Sequence, residues 1–281
     1  MAVDWINKLV YFTSDTNSIE VVDYEGQNRR ALIWTGLSAP RAIELDPEAG
    51  LLFYTDWGQT TAHLGRSNMD GADRRSLINN TSTNDPQIKW PNALTIDHPN
   101  KNLYWMDSSS MKSIECMRYD GSARYTISNK DSALGFPWRM RVFEDRVYWR
   151  ERDGEVKSAN KFTGNQYVTE RVVSASGEKL AVGTGLRIYH PAIQPESTPR
   201  CRPDLCQKLC LPIPNGYQCA CPTGHSLLPD NFNCAYKMEN FAFVATKEMI
   251  VKTALEPLEP VLQPIMFKEN KYMVRLPVSV S

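Results

Sequence analysis

Leu103-Tyr104-Trp105-Met106-Asp107 is one of four related stretches, and their recurrence decides the fold. The other three are Leu9-Val10-Tyr11-Phe12-Thr13, Leu52-Phe53-Tyr54-Thr55-Asp56 and Val147-Tyr148-Trp149-Arg150-Glu151. Their equivalent aromatics Tyr11, Phe53, Tyr104 and Tyr148 lie 42, 51 and 44 residues apart. Upstream of each sits an alternating run: Ala2-Val3-Asp4-Trp5, Ala42-Ile43-Glu44-Leu45-Asp46, Ala93-Leu94-Thr95-Ile96-Asp97 and Met140-Arg141-Val142-Phe143. Downstream of each comes a glycine turn, at Gly26, Gly71, Gly121 and Gly164, followed by another short β-type run. Each repeat therefore reads as four short strands split by turns, with no helical periodicity. Four strands in about 40–50 residues is the blade of a β-propeller. One blade cannot bury both of its faces, so blades stack around an axis with the aromatic doublets between them.

Composition narrows the function classes. The chain has 281 residues, with 32 Lys+Arg balancing 32 Asp+Glu, which argues against a nucleic-acid binder. Seven Trp, 12 Tyr and 9 Phe supply core material that a disordered chain lacks. No apolar run reaches the ~18 residues of a membrane span, and the first residues lack a secretion signal's basic flank and apolar stretch. There is no G-x-S-x-G elbow, H-E-x-x-H, P-loop or G-x-G-x-x-G, so neither catalysis nor a cofactor is expected. Cys116 sits in a strand pattern and reads as a buried core thiol. Asp46, Asp56, Asp97 and Asp107 resemble a metal series, but they recur once per repeat. That periodicity reads as repeated hydrogen bonds to turn or neighbouring-blade backbone.

The other six cysteines, Cys201, Cys206, Cys210, Cys219, Cys221 and Cys234, crowd into 34 residues. Zinc sites favour paired C-x₂₋₄-C hooks, whereas the gaps here run 4, 3, 8, 1 and 12. A one-residue gap in an extended strand points its two side chains to opposite faces, which suits two bridges better than one ion. The surrounding segment is rich in turn formers and needs staples in place of a core. A disulfide framework follows, and six cysteines leave 15 connectivities open.

The spacing, with Gly216-Tyr217-Gln218-Cys219-Ala220-Cys221-Pro222 and Gly224, closely resembles an EGF-like module. The resemblance implies the pairing Cys201–Cys210, Cys206–Cys219 and Cys221–Cys234. The calcium-binding subtype wants Asp or Asn where this chain has Pro212, so no metal is expected there. The repeats resemble the YWTD β-propeller of the low-density lipoprotein receptor and receptor-related protein family, in which an EGF-like module follows the propeller. The matches include Ala2-Val3-Asp4-Trp5-Ile6, Trp90-Pro91-Asn92, Phe143-Glu144-Asp145-Arg146-Val147-Tyr148-Trp149 and the exit motif Ile188-Tyr189-His190-Pro191. Residues 240–245 and 250–252 resemble the opening strands of a following propeller. The family ring has six blades, and four are visible here plus an expected closing strand at 185–190. The resemblance thus implies two further blades upstream. Ser14 and Glu151 replace the motif's Asp, Ala42 and Ala93 stand where Gly is usual, and the tail at 268–281 matches nothing.

The implied organisation is an all-β chain: a partial YWTD propeller over 1–195, an EGF-like module over 196–236, and the start of another propeller with the tail over 237–281. Loops entering each blade's first strand gather at one mouth of a propeller, here 38–41, 89–92 and 136–139. Each carries a proline that fixes its backbone, and Trp and Arg are enriched in binding hot spots. Arg41, Trp90, Asn92 and Trp138 are the expected ligand contacts, against the rival reading that the two tryptophans plug the channel. Asn79 and Asn80 head overlapping N-x-[ST] sequons in a polar loop, so one of them is an expected glycan site. His190 reads either as a pH switch or as a structural corner. The family implies protein ligands, an extracellular or cell-surface setting, and membrane attachment only through a downstream span. It describes an endocytic or signalling receptor ectodomain, with a secreted basement-membrane linker as the alternative. An enzyme would need acid/base groups converging in the channel.

Overall fold

The computed structural model describes residues 1–59, 61–80, 88–109, 112–128, 134, 137–151, 155–170, 185–237, 241–245 and 250–254. Four antiparallel four-stranded sheets follow one another, each a simple meander. Blade 1 holds β1 (Ala2–Asp4), β2 (Leu9–Ser14), β3 (Ser18–Asp23) and β4 (Arg30–Ile33). Blade 2 holds β5 (Pro40–Asp46), β6 (Leu51–Asp56), β7 (His63–Asn68) and β8 (Arg75–Asn79). Blade 3 holds β9 (Pro91–Asp97), β10 (Asn102–Asp107), β11 (Ser113–Arg118) and β12 (Tyr125–Ser128). Blade 4 holds β13 (Pro137–Phe143), β14 (Arg146–Glu151), β15 (Val156–Asn160) and β16 (Val168–Glu170). The four quoted stretches are the second strands of the blades. Among the described residues no helix is long and apolar enough to cross a membrane.

The turns explain why the strands break where they do. Asp4 ends β1 because its Oδ1 accepts from the backbone N–H groups of Ile6 (3.0 Å) and Asn7 (2.9 Å), which turns the chain into β2. Gly164 turns in the left-handed region at φ +66°, and a Cβ there would collide with the Ile127 carbonyl of blade 3.

Side-chain alternation on the second strands sends one aromatic of each doublet to each blade face. Tyr54, Phe53, Tyr104 and Trp105 are all buried, because blades 2 and 3 have neighbours on both sides. Phe12 in β2 and Tyr148 in β14 are only half-buried. Tyr11 and Tyr54 meet Ile19, Ile33 and Leu52 in the core between blades 1 and 2. Phe53, Leu64, Leu103 and Trp105 fill the next interface, and Tyr104, Met106, Cys116 and Trp149 the third. Each fully buried large side chain contributes about 1.5–3 kcal/mol. Cys116 is free and buried, and burial pushes its thiol pKa up.

The expected closing strand at 185–190 is not formed. That segment joins no sheet, and a 3₁₀ turn follows at Pro191–Ile193. Pro191 has no N–H to donate, and the turn is capped by His190 Nδ1, which accepts from Ala192 N at 3.2 Å. His190 also packs on Phe143 of blade 4, with ring centroids 4.9 Å apart, while Tyr189 is fully exposed. Arg187 donates to Met1 O (3.4 Å) and Trp5 Nε1 to Pro195 O (3.0 Å), so the segment ties blade 4 to blade 1 without a ladder.

Two hairpins follow: β17 (Leu209–Ile213) with β18 (Gly216–Ala220), and β19 (His225–Leu227) with β20 (Cys234–Tyr236). Cys201–Cys210, Cys206–Cys219 and Cys221–Cys234 are bridged. Leu209, Leu211 and Ala220 enter the core between blades 1 and 2. Arg30 Nη1 donates to Cys221 O (2.8 Å), Thr223 N to Arg29 O (3.0 Å) and Cys201 N to Asn7 Oδ1 (3.0 Å). Gly50 (φ +71°) lies so close that a Cβ would strike the Ile213 backbone. A last hairpin, β21 (Phe241–Ala245) with β22 (Ile250–Ala254), is a separate two-stranded sheet.

Candidate functional site

The loops that enter blades 2 and 3 are clamped by the last residue of the following strand. Asp56 Oδ2 accepts from Ser38 N at 2.8 Å and its Oδ1 from Ala39 N at 2.6 Å. Trp57 N returns a bond to Ala39 O at 3.0 Å. Asp107 repeats the arrangement one blade on. It takes Lys89 N at 2.7 Å and Trp90 N at 3.2 Å, and Ser108 N donates back to Trp90 O at 2.9 Å. In blade 4 the position is held by Glu151, one methylene longer, which accepts from Trp149 Nε1 at 2.9 Å. Asp46 and Asp97 instead hold neighbouring blades, taking Lys101 Nζ at 2.8 Å and Lys161 Nζ at 2.7 Å.

The clamped loops bring two of the expected contacts together. Arg41 lays its guanidinium 3.8 Å from the Trp57 ring centroid, and Trp57 lies 6.4 Å from Trp90. Trp90 is 48% exposed, so it forms a rim. Trp138 is half-buried at the start of β13, and its carbonyl accepts from Arg139 Nη1 at 3.1 Å. Among the described residues it makes no ring contact with the other two tryptophans. Among the described residues, the channel cavities of about 70 and 600 Å³ are lined by neither Trp90 nor Trp138.

Asn92 stands apart. It is 5% exposed, and its Nδ2 donates to Pro137 O of blade 4 at 2.6 Å. It is a tie between blades and offers no surface to a ligand, so the ligand role expected for it is set aside. Loop sequence alone does not tell which of its side chains turn inward.

Four arginines mark the mouth more strongly than the loops do. A cavity of about 70 Å³ opens at the start of the innermost strands, lined by Arg41, Glu44, Arg139, Arg141 and Arg187 among others. Behind it the channel widens to about 600 Å³, with Glu44, Arg141 and Arg187 lining both spaces. Arg141 pairs with Glu44 at 2.6 Å. Burial, and then the charge of Arg141, hold the Arg139 and Arg187 guanidinia below the usual arginine range. Trp57 and the arginines beyond Arg41 were not among the sequence candidates. Trp57 directly follows the Thr55-Asp56 of its motif, which is the one sequence signal that marks it.

Asn79 is exposed at the outer edge of blade 2, whereas Asn80 is half-buried and donates its backbone N–H to Ala62 O at 2.9 Å.

Four YWTD-type blades followed by a small disulfide-rich module define an all-β propeller portion with an EGF-like appendage. Comparisons with known proteins agree with that class. Residues 50–98 match the low-density lipoprotein receptor repeat class B. The chain is 34% identical over 239 residues to vitellogenin receptor Yl of Drosophila melanogaster, covering 83% of this chain and 11% of that protein. It is 32% identical over 235 residues to the vitellogenin receptor of Solenopsis invicta, covering 83% of this chain and 12% of that protein. A chain in the crystal structure of a nidogen/laminin complex superposes with a TM-score of 0.53 at 27% identity, over 60% of this chain and 61% of that one. This chain belongs to the low-density lipoprotein receptor and receptor-related protein family. It spans about a tenth of the length of the curated relatives it matches.

Proposed function

We propose that the chain is a ligand-binding portion of the extracellular region of a cell-surface receptor, that it takes protein ligands at the propeller mouth, and that it performs no catalysis. The observation that carries this reading is the mouth itself. Asp56 and Asp107 clamp two loops so that Arg41, Trp57 and Trp90 share one face, preorganised at low entropic cost. Endocytic uptake is the role tested first, with vitellogenin as the probe because both curated relatives are named for it. Cells displaying the chain on a membrane anchor are given labelled vitellogenin, and bound and internalised label are counted. Arg41→Ala or Trp90→Ala should weaken binding by about 2 kcal/mol or more, the hot-spot scale, with the melting temperature unchanged. A fall in melting temperature with unchanged affinity assigns these residues to packing. Binding without internalisation favours a signalling role.

The secreted matrix linker is the second reading, and the likeness to a chain of the nidogen/laminin complex favours it. The modules that flank this segment in the whole protein separate the two. We also place a glycan at Asn79, the more exposed of the two candidates. In secreted protein Asn79→Gln should remove one glycan mass, whereas Asn80→Gln, which leaves the Asn79 sequon intact, should not.

A further inference from the structure

We propose that the mouth cavity is built to receive a carboxylate, the side chain of an Asp or Glu presented by a partner protein, held by Arg41, Arg139 and Arg187. The proposal rests on the reading of the mouth as the ligand face, and adds the chemistry of what enters it. The chain as a whole is neutral, yet this one cavity gathers four arginines and a single carboxylate, Glu44. Glu44 is taken by Arg141. Among the described residues, Arg41, Arg139 and Arg187 have no acidic group within 4.0 Å, and all three line the same small space. Burial and mutual repulsion already disfavour the charged forms of Arg139 and Arg187. An incoming anion relieves that repulsion, and the planar guanidinium matches a carboxylate with two parallel N–H donors.

The entrance is narrow: a cavity of about 70 Å³ has room for a few water-sized groups, hence for one side-chain headgroup, before the channel widens to about 600 Å³. The half-exposed Trp90, tilted against Trp57 beside Arg41, supplies the apolar rim on which the flanking peptide packs. Both features favour an acidic residue on a folded or extended polypeptide over a polysaccharide.

The test selects a random linear heptapeptide library on phage against the full 281-residue chain secreted from an oxidising compartment. Selected peptides should be rich in Asp and Glu. Their affinity should fall roughly tenfold or more with Arg139→Gln or Arg187→Gln, and much less with Arg139→Lys, as expected for loss of a charge-assisted bond. Both residues are exposed, but Arg187 ties the 185–190 segment to Met1 O whereas Arg139 bonds the adjacent Trp138 carbonyl, so Arg139→Gln should keep the parent melting temperature even if Arg187→Gln does not. Peptides free of acidic residues that bind both arginine variants normally, yet fail against Trp90→Ala, overturn the carboxylate while leaving the mouth as ligand face. Peptides indifferent to all these variants overturn both. Heparin fragments that bind more tightly than the peptides, with the same arginine dependence, replace the acidic side chain with a polyanionic sugar and overturn the proposal.

Discussion

Arg141 Nη1 lies 2.6 Å from Glu44 Oε1, and the bond joins β13 of blade 4 to β5 of blade 2 across the channel, past the intervening blade 3. Both side chains are largely buried, at 11% and 19% exposure. Removing one partner strands the other charge. Glu44→Gln should therefore destabilise the chain by roughly 1–3 kcal/mol, less than the loss for a fully buried pair because water screens part of it. The double variant Glu44→Gln/Arg141→Gln should recover part of that loss. A denaturant double-mutant cycle reads the coupling directly, and strictly additive losses would mean that the bond does not tie the two blades.

Asp56 offers the clearest test of how the mouth is held. Asp56→Ala removes the acceptors for Ser38 N and Ala39 N. A cost of roughly 1.5–3 kcal/mol is expected, the range for hydrogen bonds to a charged group. Hydrogen exchange at Ser38 and Ala39 should speed up far more than exchange in β2. Unchanged exchange at those two amides would show that the loop is held by something else.

Two neighbours on one loop should behave oppositely. Asn92→Ala leaves the Pro137 carbonyl without its donor and should cost about 1–3 kcal/mol in thermal or urea unfolding. Trp90→Ala removes a half-exposed rim residue and should cost much less than a core tryptophan, for which 3–5 kcal/mol is usual. A Trp90→Ala loss as large as that of Asn92→Ala would make Trp90 a core residue.

Asp46 keeps its charge deep into the acid range. Burial alone raises its pKa, but His98, whose Nδ1 lies 3.7 Å away, and the hydrogen bonds from Lys101 and the Ala49 backbone outweigh burial and hold it well below the usual carboxylate range. A depressed folded pKa gives stability that is complete above the unfolded value, about 3.9, and is lost as pH falls below it. Asp46→Asn should flatten that acid limb. Asp4 works with the opposite sign, because burial raises its pKa despite bonds from Asn7 and Ile6. Its contribution rises as pH falls through the raised folded pKa and is complete at the unfolded value, about 3.9, so Asp4→Asn should remove a gain in stability above that pH. Urea unfolding at a series of pH values measures both slopes.

Cys219→Ser breaks the bridge to Cys206 in a segment whose Leu209, Leu211 and Ala220 belong to the core between blades 1 and 2. A loss of about 2–5 kcal/mol is expected. Because Arg30 and Gly50 touch the same module, hydrogen exchange should rise in β4 as well as in residues 201–234. An effect confined to 201–234 would mean that the module docks only loosely on the blades.

The blades were legible in the sequence because their evidence is local and periodic: a doublet, an alternating strand and a glycine turn, four times over. The backbone role of Asp56 and Asp107 was legible for the same reason, whereas Asp46 and Asp97 reach the neighbouring blade through lysine side chains, which the repeat did not announce. What escaped was the geometry between repeats. Trp57, Arg139, Arg141 and Arg187 converge only after the chain has turned through several blades, and no spacing in the sequence encodes that turn. Asn92 lies two residues from the half-exposed Trp90, yet its amide donates into the next blade. Residues 185–190 alternate like a strand, but a strand needs a ladder partner, and none lies beside this segment among the described residues.

Asp56 and Asp107 grip their loops by backbone amides, and an amide is the same whatever side chain it carries. The loops are therefore free to differ in sequence, as Ser38-Ala39-Pro40-Arg41 and Lys89-Trp90-Pro91-Asn92 already do within this one chain. Mutation can rewrite what is displayed one loop at a time without renegotiating the scaffold underneath. A lineage built by duplicating such repeats can acquire new partners at the pace of point substitutions in a handful of codons, while the fold itself stands still.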